Sequence, residues 1–135
     1  MNIMPANHFA LLLGRFLIAA IFVLEGLQKV ANYEGTRIFM SVLGVPTTAL
    51  PLVVLLEVVG GVCLVLGVFT RVLSLLFMGF CLMTALFFHT DFSHPIEFES
   101  FFKNFAIAGG FLFLYVSGPG DYSVSHWYNR RKHKA

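Results

Sequence analysis

Residues Phe9–Val30 read FALLLGRFLIAAIFVLEGLQKV, a run that is apolar at almost every position. A helix needs about 20 mostly apolar residues to cross the hydrocarbon core of a bilayer, and this run is long enough. A basic segment before it and a small-residue cleavage site after it, the marks of a cleaved signal peptide, are both missing. The run therefore predicts a membrane-spanning helix that is retained.

Three further apolar runs predict three more spans, which occupy approximately residues 49–68, 72–88 and 101–116. The turn that contains Gly67, Thr70 and Arg71 is so short that the second and third helices must form an antiparallel hairpin. Between the first two spans, Ile38, Phe39, Val42 and Leu43 fall on one helical face, which predicts a short helix in the membrane interface.

The composition agrees with a protein that is embedded in lipid. The chain has 135 residues, of which 58% are apolar and 12% are charged, whereas soluble domains average about 25% charged residues. The mean hydropathy is +0.82, so polar residues are too few to cover a water-exposed surface. A net charge of only +2 gives no indication of a nucleic-acid partner. We expect one all-α domain, a four-helix transmembrane bundle.

The distribution of basic residues predicts the orientation. Residues 121–135 form a basic tail with Arg130, Arg131, Lys132 and Lys134, and Arg71 lies in the short second turn. The positive-inside rule places these segments in the cytoplasm, and four spans then place the amino terminus there as well.

Ionisable residues inside the spans require an explanation, because inserting each one into the membrane costs at least ~2.5–3.5 kcal/mol. Arg15, Glu25 and Lys29 fall within an arc of about 80° on the first helix, which predicts that this stripe faces the bundle interior. Glu57 lies near the middle of the second span and must be protonated or paired with a cation. Arg15 is the nearest cation in estimated depth. The alternatives are a structural Arg15–Glu57 pair, a proton-relay or ligand-binding carboxylate, and a neutral acid with no role.

Other polar residues gather at the predicted outer ends of the helices. His89 ends the third helix, and Lys103 and Asn104 open the fourth, so we expect them to join Glu25, Gln28 and Lys29 in a polar cluster at the outer mouth of the bundle. The loop between these helices adds Asp91, His94, Glu97 and Glu99, but their spacing is not that of a metal signature, and no metal site is predicted. Four glycines within the second and fourth spans predict close helix packing: Gly60, Gly61, Gly109 and Gly110.

Several blocks of the sequence resemble the DoxX family of small bacterial membrane proteins. The blocks are GRFLIAAIFVLEGLQKV, LEVVGGVCLVLGVFTR and FFKNFAIAGGFLFLYVSGPGDYS, and they occur in the family's order over most of the chain. The resemblance implies a four-helix inner-membrane protein that is associated with redox chemistry. It further implies either binding of a quinone or small phenolic compound, for which Glu57 and Arg15 would supply the polar contact in the middle of the membrane, or docking of an oxidoreductase.

The sequence leaves open whether the chain is an enzyme. It has no phosphate-binding loop, dinucleotide fingerprint, haem-attachment motif or catalytic triad order, so it is at most one subunit of a quinone-linked oxidoreductase. No cofactor is identified beyond a quinone. A redox protein partner and a homo-oligomer are both compatible with the sequence. The competing interpretations are a small transporter and an assembly or structural subunit.

Overall fold

The computed structural model describes residues 5–132, and within that range it contains helices and turns but no strand. The helices are α1 (Pro5–Ala31), α2 (Tyr33–Val42), α3 (Thr47–Leu66), α4 (Thr70–Phe88), α5 (Pro95–Ser117) and α6 (Val124–Lys132). Four of them, α1, α3, α4 and α5, are long and apolar enough to cross a membrane. The predicted all-α, four-helix transmembrane architecture is confirmed. The cytoplasmic position of the termini stays a prediction, and Lys134 lies outside the described residues.

The core of the bundle is small and aromatic. Phe22 of α1 packs against Phe77 of α4 with ring centroids 4.7 Å apart, and Phe77 stacks on Phe111 of α5 at 5.2 Å. Ala19, Leu64 and Cys81 complete the centre of this cluster. Most other apolar side chains point outward. In a soluble protein so large an apolar surface would cause aggregation, but on these helices it is the surface that lipid covers.

Helices α1 and α3 pack antiparallel at a close approach that glycine permits. A Cβ atom at Gly26 would lie 2.9 Å from Cβ of Glu57, and one at Gly61 would lie 2.6 Å from Cγ2 of Val23. Near the other end of the pair, Gly67 lies against the Arg15 side chain. These contacts define the register of the two helices and therefore the depth of every charged side chain on them.

The short helix predicted between the first two spans is confirmed as α2, whose Ile38, Phe39 and Val42 are more than half exposed. The ring of Phe39 nevertheless stacks on Phe88 at the end of α4, with centroids 6.0 Å apart. This contact holds α2 against the end of the bundle.

The largest difference from the predicted spans lies at the start of α5. The sequence predicts a helix from about residue 101, but α5 begins at Pro95. Proline is favourable in the first turn because its missing N–H has no helical partner there. The polar residues after Pro95, which resemble a loop, form the first turns of the helix instead. The basic tail also contains a helix, α6, which the sequence analysis did not predict.

Candidate functional site

The candidate site is built around Glu57, which lies in an irregular turn of α3. Residues Leu56–Gly60 form a π-helical segment between two α-helical segments, Leu50–Leu55 and Gly61–Leu66. Such wide turns are rare, and they occur frequently at functional sites. Apolar periodicity carries no signal for a π turn, so sequence analysis missed it.

Lys29 of α1 is the cation that pairs with Glu57. Its Nζ lies 3.0 Å from Oε1 of Glu57 and 3.2 Å from Oε2 of Glu25. The Glu57 side chain is 3% exposed and that of Glu25 is 56% exposed. Lys29 thus bridges a buried carboxylate and a solvent-accessible one.

The other carboxylate oxygen of Glu57 has no hydrogen-bond partner within the described part of the chain. Oε2 is buried and unpaired, although Oε1 accepts a charge-assisted hydrogen bond from Lys29. Buried polar atoms are nearly always satisfied, so an exception requires an explanation. An unpaired carboxylate oxygen next to a lysine is able to accept a proton or a ligand's hydroxyl group.

An open cleft lies on the accessible side of Lys29, between the end of α1 and α2. Its volume is about 580 Å³, within the range of about 300–1,000 Å³ that is typical of small-molecule sites. One wall is the aromatic ring of Phe39, which is supported by Phe88. The lining combines cationic, acidic, amide and hydroxyl groups with this ring: Glu25, Gln28, Lys29, Ala31, Asn32, Gly35, Thr36 and Phe39.

The Arg15–Glu57 pair, one of the three alternatives for Glu57, is not formed, because Lys29 contacts this carboxylate. Glu57 lies opposite Gly26 of α1, eleven residues after Arg15, which corresponds to about 16 Å along the helix axis. Approximate span boundaries placed Arg15 at the same membrane depth as Glu57. The register between the antiparallel helices α1 and α3 decides which residues share a depth, and the boundaries do not determine it. Arg15 donates from Nη2 to the backbone carbonyl of Tyr122 instead, at the opposite end of the bundle.

The predicted inner face of α1 is only partly formed. Arg15 is completely buried and Lys29 is largely buried, but Glu25 lies at the edge of the stripe, facing the cleft.

The structure does not bring His89, Lys103 and Asn104 into the cleft. His89 uses Nδ1 to contact Oε2 of Glu97 at 2.7 Å, and this pair joins the end of α4 to the first turn of α5. Asn104 donates to the carbonyl of Ser100 in its own helix. Lys103 is exposed on α5, and no ion pair of Lys103 is present in residues 5–132.

The glycines of the second and fourth spans occupy different environments. Gly61 faces Val23 of α1, Gly60 faces Phe77 of α4, and Gly110 faces Ile18 of α1. Gly109 has open space around it. Three of the four therefore lie at contacts between helices.

Comparison with known proteins identifies the family of the chain. The DoxX family model matches residues 10–90. The inner membrane protein YqjF of Escherichia coli (strain K12) is 41% identical over 120 residues, which cover 89% of this chain and 92% of the relative. The inner membrane protein YphA of the same organism is 36% identical over 126 residues, or 88% and 90% of the two chains.

A third relative is more distant, and the solved structures add nothing to the comparison. "Putative oxidoreductase CatD" of Bacillus subtilis (strain 168) is 35% identical over 66 residues, which cover 49% of each chain. No solved structure matches the chain. The family match, the two long alignments and the four spanning helices lead to one conclusion: this chain belongs to the DoxX family and is a multi-pass inner-membrane protein.

Proposed function

We propose that this protein binds a quinone or a small phenolic compound in the cleft between α1 and α2, as the membrane component of an oxidoreductase system. The observation that carries the proposal is the cleft beside the Glu25–Lys29–Glu57 triad, because it combines an aromatic wall with hydrogen-bonding groups. The similarity to CatD, which is named a putative oxidoreductase, supports the redox part of the proposal.

The chemistry of the cleft residues suits a ring that carries oxygen atoms. Phe39 offers an aromatic face for stacking. The side chains of Lys29 and Gln28 provide N–H donors for a carbonyl or phenolate oxygen, and the Glu25 carboxylate provides an acceptor for a hydroxyl group. A site of this kind binds both the oxidised and the reduced form of such a ring, because donors and acceptors are present together.

Lys29 has a further role in this proposal as a proton carrier between the two carboxylates. Its ammonium group contacts exposed Glu25 and buried Glu57 at the same time. A proton bound by Glu25 could pass to Lys29 while Lys29 gives one of its own protons to Oε1 of Glu57, the oxygen that it contacts, so that the lysine stays an ammonium group. Glu57 would then hold the proton away from water as a neutral carboxylic acid.

The direct test is ligand binding by the protein in nanodiscs. Short-chain benzoquinone and catechol would be titrated into the protein and followed by calorimetry. Gln28→Leu removes a donor of the cleft, and Lys103→Met removes an exposed cation outside it. We expect Gln28→Leu to weaken binding about tenfold, the loss of one useful hydrogen bond, and Lys103→Met to bind as the parent does. Absence of saturable binding, or equal weakening by both variants, would refute the proposal.

Association with an oxidoreductase has its own test. The protein would be extracted from its native membrane in polymer nanodiscs, and everything that co-purifies would be identified by mass spectrometry. A stoichiometric flavin- or haem-bearing protein supports the proposed membrane component. A preparation that contains only phospholipid contradicts it and favours a transporter or a structural subunit, which a solute-flux assay in liposomes distinguishes.

A further inference from the structure

A second unusual polar cluster lies around Arg15, at the opposite end of the bundle from the cleft. Arg15 is 0% exposed, and its Nη2 donates to the carbonyl of Tyr122. Its Nε and Nη1 are buried and have no hydrogen-bond partner in the part of the chain that the structure describes. Among the ion pairs of residues 5–132, none involves Arg15. The guanidinium therefore carries a buried charge that no counter-ion among residues 5–132 balances.

A second unpaired donor lies at the same end. Thr70, at the start of α4, is 3% exposed, and its hydroxyl group has no hydrogen-bond partner among the described residues. Thr70 lies three residues after Gly67. Gly67 itself lies against Nη1 of Arg15 and the side chain of Ser123. Arg15 therefore contacts the turn between α3 and α4, and Thr70 begins the helix that follows this turn, so both unsatisfied groups lie at the same end of the bundle.

The acidic residue of that loop is engaged elsewhere. Asp121 contacts His8 at 3.3 Å and His126 at 3.4 Å, and its side chain is 54% exposed. Arg71, in the first turn of α4, increases the positive charge of the region, because its Nε lies 3.5 Å from the position that a Cβ atom at Gly118 would occupy. The region therefore has an excess of donors and of positive charge.

A buried charge is stable in an apolar environment only when it is paired and hydrogen-bonded. Guanidinium has donors and no acceptor, so the missing partner must be an acceptor, and it must be negative to balance the charge. The planar fork of an arginine matches the oxygen atoms of a phosphate group. These requirements specify the chemistry of the partner without reference to the cleft.

We propose that Arg15, together with Thr70 and Arg71, binds a phosphate-class anion at this end of the bundle. The source is either a phospholipid headgroup or free phosphate. The 118–123 loop forms one side of the site, because the carbonyl of Tyr122 accepts the hydrogen bond from Arg15. The positive φ angles of Gly118 and Gly120, 72° and 74°, are conformations that favour glycine.

Two measurements on the full chain test the proposal and identify the source. In the first, the thermal unfolding midpoint of delipidated protein in neutral detergent is compared in inorganic phosphate and in chloride of equal ionic strength. A phosphate excess of a hundredfold over the dissociation constant should raise the midpoint by roughly 5–10 °C. In the second, native mass spectrometry counts the phosphatidylglycerol molecules that remain bound after release from nanodiscs.

Arg15→Lys keeps the charge but removes the planar fork, and Arg130→Lys makes the same change on the exposed tail helix. We expect the phosphate response or the retained lipid to be lost in Arg15→Lys and kept in Arg130→Lys. Thr70→Val removes only the hydroxyl group and should weaken the same response, which provides a test if Arg15→Lys does not fold.

Each outcome has a defined meaning. A phosphate-dependent midpoint that requires Arg15 supports a free anion, and one retained phosphatidylglycerol that requires Arg15 supports a headgroup. A response in neither experiment assigns the unpaired donors to buried water and overturns the proposal. A response that survives in both Arg15→Lys and Thr70→Val also overturns it. The outcome is independent of quinone binding, because the cleft lies at the other end of the bundle.

Discussion

The ion pair between Lys29 and Glu57 leads to a quantitative prediction for the variant Lys29→Met. The substitution leaves a carboxylate that is 3% exposed without a cation. Breaking a fully buried ion pair by removing one partner costs about 3–5 kcal/mol, and exposed pairs contribute at most about 1 kcal/mol. Because the Lys29 side chain is 22% exposed, we expect a loss near the lower end of the first range, about 3 kcal/mol. In a chain of this size the midpoint should fall by roughly 10 °C.

The assay is thermal unfolding in one detergent, followed by circular dichroism. Glu57→Gln removes the negative charge that Lys29→Met leaves unpaired. The double variant Lys29→Met/Glu57→Gln should therefore recover at least half of the stability that Lys29→Met loses. Lowering the pH should also reduce the loss in Lys29→Met, because a protonated Glu57 needs no cation. Arg37→Met serves as the control, since Arg37 and Glu34 form an exposed pair at 3.3 Å. It should cost at most about 1 kcal/mol.

The result that would refute this reasoning is a Lys29→Met variant no less stable than Arg37→Met. An additive double variant would refute it as well, because additivity means that Lys29 and Glu57 do not interact.

Two further predictions concern helix packing and the loop after α4. Gly26→Ala places a Cβ atom 2.7 Å from Cγ2 of Val58 and should lower stability by about 1–3 kcal/mol. In Gly79→Ala the new Cβ atom has no neighbour within 4 Å, so this variant should be more stable than the parent by about 0.5–1 kcal/mol. Equal unfolding midpoints for the two variants would contradict the close packing at Gly26. The hydroxyl group and then the backbone N–H of Ser93 donate to Asp91 and hold the pKa of that carboxyl below its usual range. This stabilisation is present above the unfolded-state pKa and is lost as the pH falls through the folded-state pKa. Ser93→Ala should raise the pKa of Asp91 in a carboxyl ¹³C NMR titration, and an unchanged titration would refute the assignment.

The sequence by itself determined the all-α class and the number of membrane-spanning helices. Length and apolarity of a segment decide whether it can cross a bilayer, and both are properties of consecutive residues. Local chemistry also indicated the turn at Gly67, where φ is +73°, and the short helix α2. The start of α5 was harder to predict from the sequence, because the polar residues after Pro95 are compatible with both a loop and the first turns of a helix.

Only the tertiary structure decided which charges meet. The composition of α1 and α3 identifies Arg15, Lys29 and Glu57 as costly residues, but their pairing depends on the register of two antiparallel helices. A shift of one residue in the register between two helices moves a side chain by about 1.5 Å in depth. An uncertainty of a few residues is therefore enough to pair Glu57 with the wrong cation. The contacts of Gly26 with Glu57 and of Gly67 with Arg15 define that register. They give Glu57 its partner and leave Arg15 with a buried charge that no carboxylate of the described chain balances.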